Sequence, residues 1–153
     1  MRRVVLLFLI IASLAACDRN RIFESYEEIH KDGWGKDTVL VFNFDIQDTV
    51  QAHNLYINLR NKGNYPYSNI WLFLSVDSPD GTSLPDTVEF TLADNAGKWL
   101  GSGLGDLFDN QFIYRSNVYF PQRGTYQFNM QHGMRNEMLE GIRDVGIRVE
   151  KRK

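Results

Sequence analysis

The cysteine at position 17 stands directly after an apolar segment, where its thiol can be modified chemically. It is the only cysteine among 153 residues, so no disulfide can form within a monomer. Leu14, Ala15 and Ala16 precede it. Small residues before a cleavage point let the chain enter a peptidase active site, and a cysteine just after it offers a thiol for acylation. The spacing therefore predicts cleavage before Cys17 and lipid attachment to it.

The segment upstream of the cysteine supports this prediction. Arg2 and Arg3 give a basic start, and residues 4–14 are apolar. Such a run fits the roughly 7–15 residues of a secretory signal core and is shorter than the roughly 20 residues of a membrane span. The layout resembles the lipobox signal peptide of bacterial lipoproteins, with a plain signal peptide and an incidental cysteine as the alternative. We expect residues 1–16 to be removed. The resemblance implies more than one acyl chain on the cysteine, and hence stable anchoring.

No other residues have the spacing of a catalytic or metal site. His30, His53 and His132 are far apart, unlike the paired ligands of metal-binding motifs. The sequence has no GxSxG, P-loop or CxxC motif. We therefore predict a protein that is not an enzyme and that has no metal or cofactor. A hydrolase whose triad assembles only in space remains an alternative.

Residues 94–109 form the most unusual stretch, with closely spaced glycines and several acidic residues. Asp94, Asn95, Asp106 and Asp109 offer oxygen ligands for calcium, but without the regular spacing of an EF-hand. The favoured interpretation is an irregular connection that crosses between sheets, with glycines at its bends and Trp99 held against the core.

Aromatic residues in loops are candidates for binding. Tyr65 and Tyr67 flank a proline, and with Asp94, Lys98 and Trp99 they form the predicted contact surface. Exposed aromatic rings could instead stack on sugar rings, so a glycan-binding module of the cell envelope is the alternative function. Most aromatic residues, however, serve packing first.

Charge and polarity define the part that follows the signal. Without Arg2 and Arg3, 15 basic residues face 19 acidic ones, a net charge of −4. Nucleic-acid binding, which needs a clustered basic surface, is therefore not expected. Residues 17–37 read as the lipidated cysteine, a polar tether and a docking segment, with Ile22, Phe23 and Tyr26 against the domain. Beyond Asp18, basic residues follow instead of an acidic surface-export signal, which favours a periplasm-facing domain anchored in the cell envelope.

From Thr38 onward, apolar and polar residues alternate with a period of two, which is the pattern of strands with one buried face. Glycine- and proline-rich turns separate the runs. The one helical pattern, over residues 134–142, is short. The alternation predicts a core that includes Phe42, Phe44, Leu55, Ile57, Leu72, Leu74, Phe90, Phe128 and Ile147.

These elements predict an all-β fold, a single jelly-roll-like antiparallel β-sandwich over residues 38–153. The alternation places two apolar residues, Trp71 and Phe73, on the outer face of their strand, where polar residues are expected. We expect the segment before residue 38 to cover them.

Four stretches resemble the gliding-motility lipoprotein family GldH. They are residues 48–73, 93–106, 120–135 and 139–151, together with the lipobox at Cys17. The resemblance covers nearly the whole chain after the signal. It implies a membrane-anchored envelope lipoprotein associated with gliding motility or its linked secretion machinery, and other envelope proteins as partners. The family brings no established active site, so Cys17 is the position whose function carries over.

Overall fold

The structure, a computed structural model, describes residues 18–153. Cys17 and the predicted signal peptide lie outside these residues. The described part of the chain contains strands and turns but no α-helix. It therefore has no helix that could cross a membrane. The strands are β1 (Arg21–Glu28), β2 (Trp34–Gly35), β3 (Leu40–Ile46), β4 (His53–Lys62), β5 (Asn69–Asp77), β6 (Ser83–Thr91), β7 (Ser102–Leu104), β8 (Leu107–Val118), β9 (Gly124–His132), β10 (Met138–Leu139) and β11 (Ile142–Lys151).

Two antiparallel sheets form the sandwich. The first sheet has the order β1-β11-β4-β8-β7 and the second has the order β3-β9-β5-β6. The three shortest strands are β2, β7 and β10. If they are left out and the other eight strands are renumbered in chain order, the strand order is 1-8-3-6 in the first sheet and 2-7-4-5 in the second. Apart from the β5–β6 hairpin, every connection between consecutive long strands crosses from one sheet to the other. This is the double Greek key of a jelly roll, so the predicted fold is confirmed.

The core lies between the sheets, where the alternation predicted it. Phe42 and Phe44 of β3, Ile57 of β4 and Phe128 of β9 are almost completely buried, and Leu55, Leu72, Leu74 and Ile147 join them. Fully burying one such side chain contributes about 1.5–3 kcal/mol. Phe90 differs, because its strand β6 is an edge strand. Its ring is half-buried and stacks on Phe112, with 4.5 Å between centroids.

The first strand lies within the segment predicted to be a tether. Residues 21–28 pair with β11 along the edge of the first sheet. Ile22 and Phe23 pack against the core as expected, whereas Tyr26 is exposed on the outer face beneath the guanidinium of Arg60. Paired structure therefore begins at Arg21, ahead of residue 38.

A short ribbon closes one side of the sandwich. Trp34 and Gly35 of β2 pair with Leu139 and Met138 of β10, in the region whose sequence suggested a helix. Trp34 is buried, and its indole Nε1–H donates to the carbonyl of Thr38 at 2.9 Å. The Trp34 carbonyl in turn lies 3.1 Å from Nε2 of His132. Tertiary burial thus overrides the local helical pattern.

Candidate functional site

The tyrosine at position 65, predicted to belong to a contact surface, is part of the core. Tyr65 is only 4% exposed, and its hydroxyl donates to the carbonyl of Asn69 at 2.9 Å. Burial raises the pKa of this tyrosine well above its ordinary value. The backbone of Tyr65 lies against Gly141, where a Cβ would lie 2.5 Å from Cα of Tyr65. Its role is to fix the loop, and it offers no surface to a partner.

The other predicted contact residues lie around Tyr65. Tyr67 is exposed and packs edge-on against the Tyr65 ring, with 5.8 Å between centroids. Trp99 is half-buried between Tyr65 and Phe108, which fits its expected role of holding the connection to the core. Lys98 and Asp94 are exposed in a tight turn beyond it.

The turn at residues 94–98 is stabilised by its own aspartate. The Asp94 carboxylate accepts the backbone N–H groups of Ala96 and Lys98, each at 2.9 Å. Asp106 likewise accepts the N–H of Gly63 at 3.2 Å. Across residues 18–153 there is no group of His, Cys, Asp or Glu placed to hold a metal ion. These carboxylates therefore serve the backbone of the connection between the sheets.

Three aromatic rings are exposed together at one end of the outer face of the second sheet. Trp71 and Phe73 of β5 are 39% and 48% exposed, because the buried residues Ile70, Leu72 and Leu74 alternate with them. They lie with Tyr67 and Met134 around a shallow depression of about 430 Å³. We call Tyr67, Trp71, Phe73 and Met134 the aromatic patch.

The backbone directly after β9, at Gly133, makes room for these rings. A Cβ at Gly133 would lie 3.1 Å from the Phe73 ring and 3.3 Å from Cβ of Trp71. The Trp71 backbone N–H points to Sδ of Met134 at 3.3 Å, and the Tyr67 hydroxyl donates to Asn136 at 2.7 Å. The aromatic patch is therefore held in place by its surroundings, and it presents a fixed apolar surface.

Amide side chains continue this face along β9. Asn129 donates to Ser75 at 2.9 Å and to Asp77 at 2.7 Å. Gln127 donates to Asn129 at 2.8 Å, and Gln131 donates to the carbonyl of Lys36 at 2.5 Å. The outer face of the second sheet thus combines exposed aromatic rings with an ordered row of amides.

The expectation that an N-terminal segment covers Trp71 and Phe73 is wrong. The strand over residues 21–28 joins the first sheet, so it lies on the opposite side of the sandwich. The alternation in β5 did place both rings on the outer face. Met134 could not be assigned to this surface from the sequence, because it lies beyond β9 and reaches the patch only through the fold.

The outer face of the first sheet is ionic. Arg60 of β4 binds both carboxylate oxygens of Asp144 on β11, with Nε at 2.7 Å from Oδ1. Arg148 binds Asp18, Glu24 and Glu150. Burial opposes the charge of this arginine, but the hydrogen bonds to these carboxylates outweigh it and raise the pKa of Arg148. This face thus satisfies many of its charges internally.

Two of the three histidines are buried, and burial lowers the pKa of both. His132 bonds to the Trp34 carbonyl. His53 packs edge-on against Phe120 at 5.3 Å, and neither of its ring nitrogens has a hydrogen-bond partner of normal geometry among the described residues, although the backbone of Val118 partly offsets the effect of burial on its pKa. Within residues 18–153, neither buried ring forms a hydrogen bond with a serine or a carboxylate. These histidines therefore lack the geometry of a nucleophile–base pair.

A second depression, of about 510 Å³, opens between β6 and β8. Two aspartates line it. Asp80 accepts the backbone N–H of Thr82 at 2.9 Å and the side-chain amide of Gln122 at 2.6 Å, and Asp86 accepts bonds from the Tyr114 hydroxyl at 3.1 Å and from Arg115 at 2.6 Å. Burial alone would raise the pKa of Asp86, but the bonds from Tyr114, Thr87 and Arg115 outweigh it and lower the pKa. The ion pair between Arg115 of β8 and Asp86 of β6 therefore joins the two strands at the open edge of the sandwich.

Comparisons with known proteins agree over nearly the whole described chain. A family model described as GldH lipoprotein matches residues 21–149. A protein of Christiangramia forsetii called "Gliding motility lipoprotein GldH homolog" is 38% identical over 144 residues, which is 90% of this chain and 88% of that protein. The "Gliding motility lipoprotein GldH" of Flavobacterium johnsoniae is 33% identical, over 91% of this chain and 90% of that protein.

Solved structures resemble the chain only weakly. A glycoside hydrolase family 115 glucuronidase aligns with 90% of this chain at a TM-score of 0.47 and 12% identity, and the chain spans 18% of that enzyme. A mitogen from Yersinia pseudotuberculosis aligns over 88% of both chains at a TM-score of 0.41 and 8% identity. Likenesses at this level indicate no shared function.

Proposed function

Because the chain belongs to the GldH lipoprotein family, a family of membrane-anchored lipoproteins associated with gliding motility, we propose that it is a non-enzymatic contact component of the motility apparatus or of its linked secretion machinery. Lipid on Cys17 holds the domain at the membrane, on the periplasmic side. The domain binds other envelope proteins through side chains of the second sheet.

The aromatic patch is the observation that supports this proposal. Surface aromatic residues grouped on a rigid face are typical of interaction sites, and Trp and Tyr dominate binding energy where they become fully buried by a partner. The exposed turn with Asp94 and Lys98 borders the same loop cluster, since the carbonyl of Ser68 accepts the N–H groups of Leu92 and Ala93. Tyr67, Lys98 and Asp94 therefore extend the proposed contact surface, whereas Tyr65 does not.

Confinement at a membrane strengthens such contacts. A lipid anchor keeps the domain close to other envelope proteins and raises its effective concentration for them, so that individually modest contacts suffice. An obligate complex has a large apolar interface. A patch of a few aromatic side chains is too small for such an interface, and it fits a modest contact of this kind.

The test replaces the two rings of β5 with polar side chains. The double substitution Trp71→Ser and Phe73→Ser should reduce gliding or protein secretion and remove specific envelope proteins from the material that co-purifies with the lipoprotein. Because both side chains are exposed, folding and membrane attachment should be unchanged. Ile113→Ser is the matched control, since Ile113 is an exposed apolar residue on the outer face of the first sheet.

The contact proposal fails if the double variant retains its co-purifying partners and its function while Ile113→Ser behaves in the same way. It is also abandoned if the purified domain hydrolyses an envelope substrate and substitution of Asp86 or Arg115 abolishes that hydrolysis.

A neutral glycan is a second candidate for the same face. Flat aromatic rings stack on sugar rings, and the ordered amides of Gln127, Asn129 and Gln131 can exchange hydrogen bonds with hydroxyl groups. Purified envelope polysaccharide bound by the wild type and lost by Trp71→Ser would favour this function. Protein partners that survive removal of polysaccharide would favour the first.

A further inference from the structure

The domain begins almost immediately after the cysteine. Strand β1 starts at Arg21, so three residues separate Cys17 from the first sheet. These residues are held as well, because the Asp18 carboxylate binds Arg148 and the carbonyl of Asn20 accepts the N–H of Lys151 at 2.8 Å. An extended chain spans at most about 3.6 Å per residue, which limits the distance from the cysteine to β1 to roughly 14 Å.

The residues nearest the cysteine define one end of the sandwich. His53 begins β4 and pairs with Lys151 of β11 and Val118 of β8. The last residues of the chain are tied there too, since the N–H of Arg152 donates to the carbonyl of Ala52 at 2.8 Å. We call this surface, formed by residues 18–21, 47–52, 117–119 and 151–153, the anchor end.

The exposed side chains of the anchor end suit a bilayer surface. Val50 is 84% exposed and Tyr119 is 58% exposed. The same end carries five basic residues, namely Arg19, Arg21, Lys151, Arg152 and Lys153. Exposed basic residues bind anionic headgroups, and a tyrosine fits the boundary between headgroups and acyl chains.

The acidic groups at and beside the anchor end form ion pairs and hydrogen bonds within the protein. Asp18 and Glu150 bind Arg148. Asp48 accepts the backbone N–H groups of Val50 and Gln51, at 3.0 and 3.1 Å, and lies 3.9 Å from Lys151. In contrast, no carboxylate among residues 18–153 forms an ion pair with Arg19, Arg152 or Lys153. The residues of the anchor end include five basic and two acidic side chains, so their net charge is positive.

We propose that the anchor end is a membrane-contact surface that binds anionic phospholipid headgroups and holds the sandwich in one orientation. This inference rests on the acylation of Cys17 in the proposed function. The opposite end, marked by Lys62 of β4, lies about 30 Å away, since β4 has ten residues at roughly 3.4 Å each. The membrane thus sets which surfaces of the domain partners can reach.

Lipid quenching of a fluorophore tests this orientation on the full-length lipoprotein. Acylation blocks the thiol of Cys17, so a new cysteine is labelled alone. Val50→Cys and Tyr119→Cys report on the anchor end, and Leu104→Cys is the matched control, because Leu104 is 90% exposed and its partner Leu107 pairs with Lys62. The vesicles contain phosphatidylcholine with or without phosphatidylglycerol, and a lipid that carries a nitroxide near its headgroup.

We expect strong quenching at positions 50 and 119, weak quenching at position 104, and an increase at positions 50 and 119 when phosphatidylglycerol is present. Each basic residue near an anionic surface strengthens binding roughly fivefold. Neutralising Arg152 and Lys153 together, by Arg152→Gln and Lys153→Gln, should therefore weaken the docked orientation up to about 25-fold on phosphatidylglycerol and leave it unchanged on phosphatidylcholine.

Equal quenching at positions 50, 119 and 104 overturns the proposed orientation. Quenching that changes neither when phosphatidylglycerol is added nor when Arg152 and Lys153 are neutralised overturns the role of anionic headgroups. Mass spectrometry of the same sample measures acylation at Cys17. An unacylated protein would overturn the proposed function along with this inference, whereas an acylated protein with uniform quenching overturns this inference alone.

Discussion

The two buried histidines should respond in opposite ways to the same substitution. A neutral imidazole carries one N–H donor and one acceptor nitrogen. In His53 both lack a partner of normal hydrogen-bond geometry among the described residues, although the backbone of Val118 lies close enough to favour its charged form. In His132 Nδ1 lacks a partner among the described residues, but Nε2 bonds to the Trp34 carbonyl at 3.1 Å. Because a carbonyl only accepts, this nitrogen must be the donor. Leucine has a similar size and no polar atoms, so it removes the polar groups in both cases.

The expected magnitudes follow from these contacts. A buried polar group without a partner costs about 1–3 kcal/mol, and its replacement by an apolar group recovers part of that cost. Imperfect packing against Phe120 offsets up to about 1.5 kcal/mol, so His53→Leu should leave the free energy of unfolding unchanged or raise it by up to about 2 kcal/mol. His132→Leu breaks its bond and strands the Trp34 carbonyl, and it should cost about 1–3 kcal/mol.

Acidification separates the variants further. Burial lowers the pKa of both histidines in the folded state, so below about pH 6.5 the unfolded chain binds more protons than the folded one. Stability is therefore fully present above pH 6.5 and falls as the pH drops, by up to about 1.4 kcal/mol per pH unit for each histidine. His53→Leu should remove one histidine's share of this slope.

Urea unfolding of the soluble domain at pH 7.5, 6.5 and 5.5, followed by tryptophan fluorescence, measures both effects. The double variant provides the control, since its pH dependence should be flatter than that of either single variant. A loss of more than about 1 kcal/mol in His53→Leu at pH 7.5, or an unchanged slope below pH 6.5, would contradict this reasoning.

Three further predictions concern anchoring and packing. Cys17→Ser should release the protein from membranes or block its processing, which fractionation and intact mass will show; a variant that matures and stays in the membrane fraction contradicts the anchor. Ile57→Ala should destabilise the domain by about 2–5 kcal/mol, whereas Ile113→Ala, at an exposed position, should change stability by less than about 0.5 kcal/mol; similar values for the two would refute the register of β4. Gly141→Ala should unfold the domain or lower its melting temperature sharply, because φ is +83° and the new Cβ would overlap Tyr65; a normal melting curve would refute this packing.

The alternation of apolar residues predicted most of the fold because it reflects burial directly. Phe42 and Phe44 face the core while Asn43 and Asp45 face outward, and a one-residue shift would reverse every side chain. The first strand was harder to recognise, because an edge strand buries its residues only in part. In Arg21–Glu28, Phe23 contacts the core beside Glu24, which binds Arg148, so the sequence of this strand resembles a polar segment.

The candidate surface was predictable only where local pattern decides exposure. Trp71 and Phe73 were placed on the outer face by their strand, although the sequence could not show that nothing in the described chain covers them. Tyr65 was predicted to be part of the contact surface but is buried, and its backbone lies against Gly141, which is distant in sequence but adjacent in space. A tyrosine beside a proline in a loop carries no local sign of such a partner.

The position of β11 has a consequence for how the protein folds after export. This last strand lies between β1 and β4, so the first sheet cannot assemble until the final residues are available. A chain that crosses a membrane N-terminus first therefore stays without its central pairing until β11 has crossed. Such non-local pairing also slows folding, which leaves an anchored but open chain within reach of chaperones and proteases. Loss of the last ten residues should consequently abolish the fold, although it removes none of the aromatic patch.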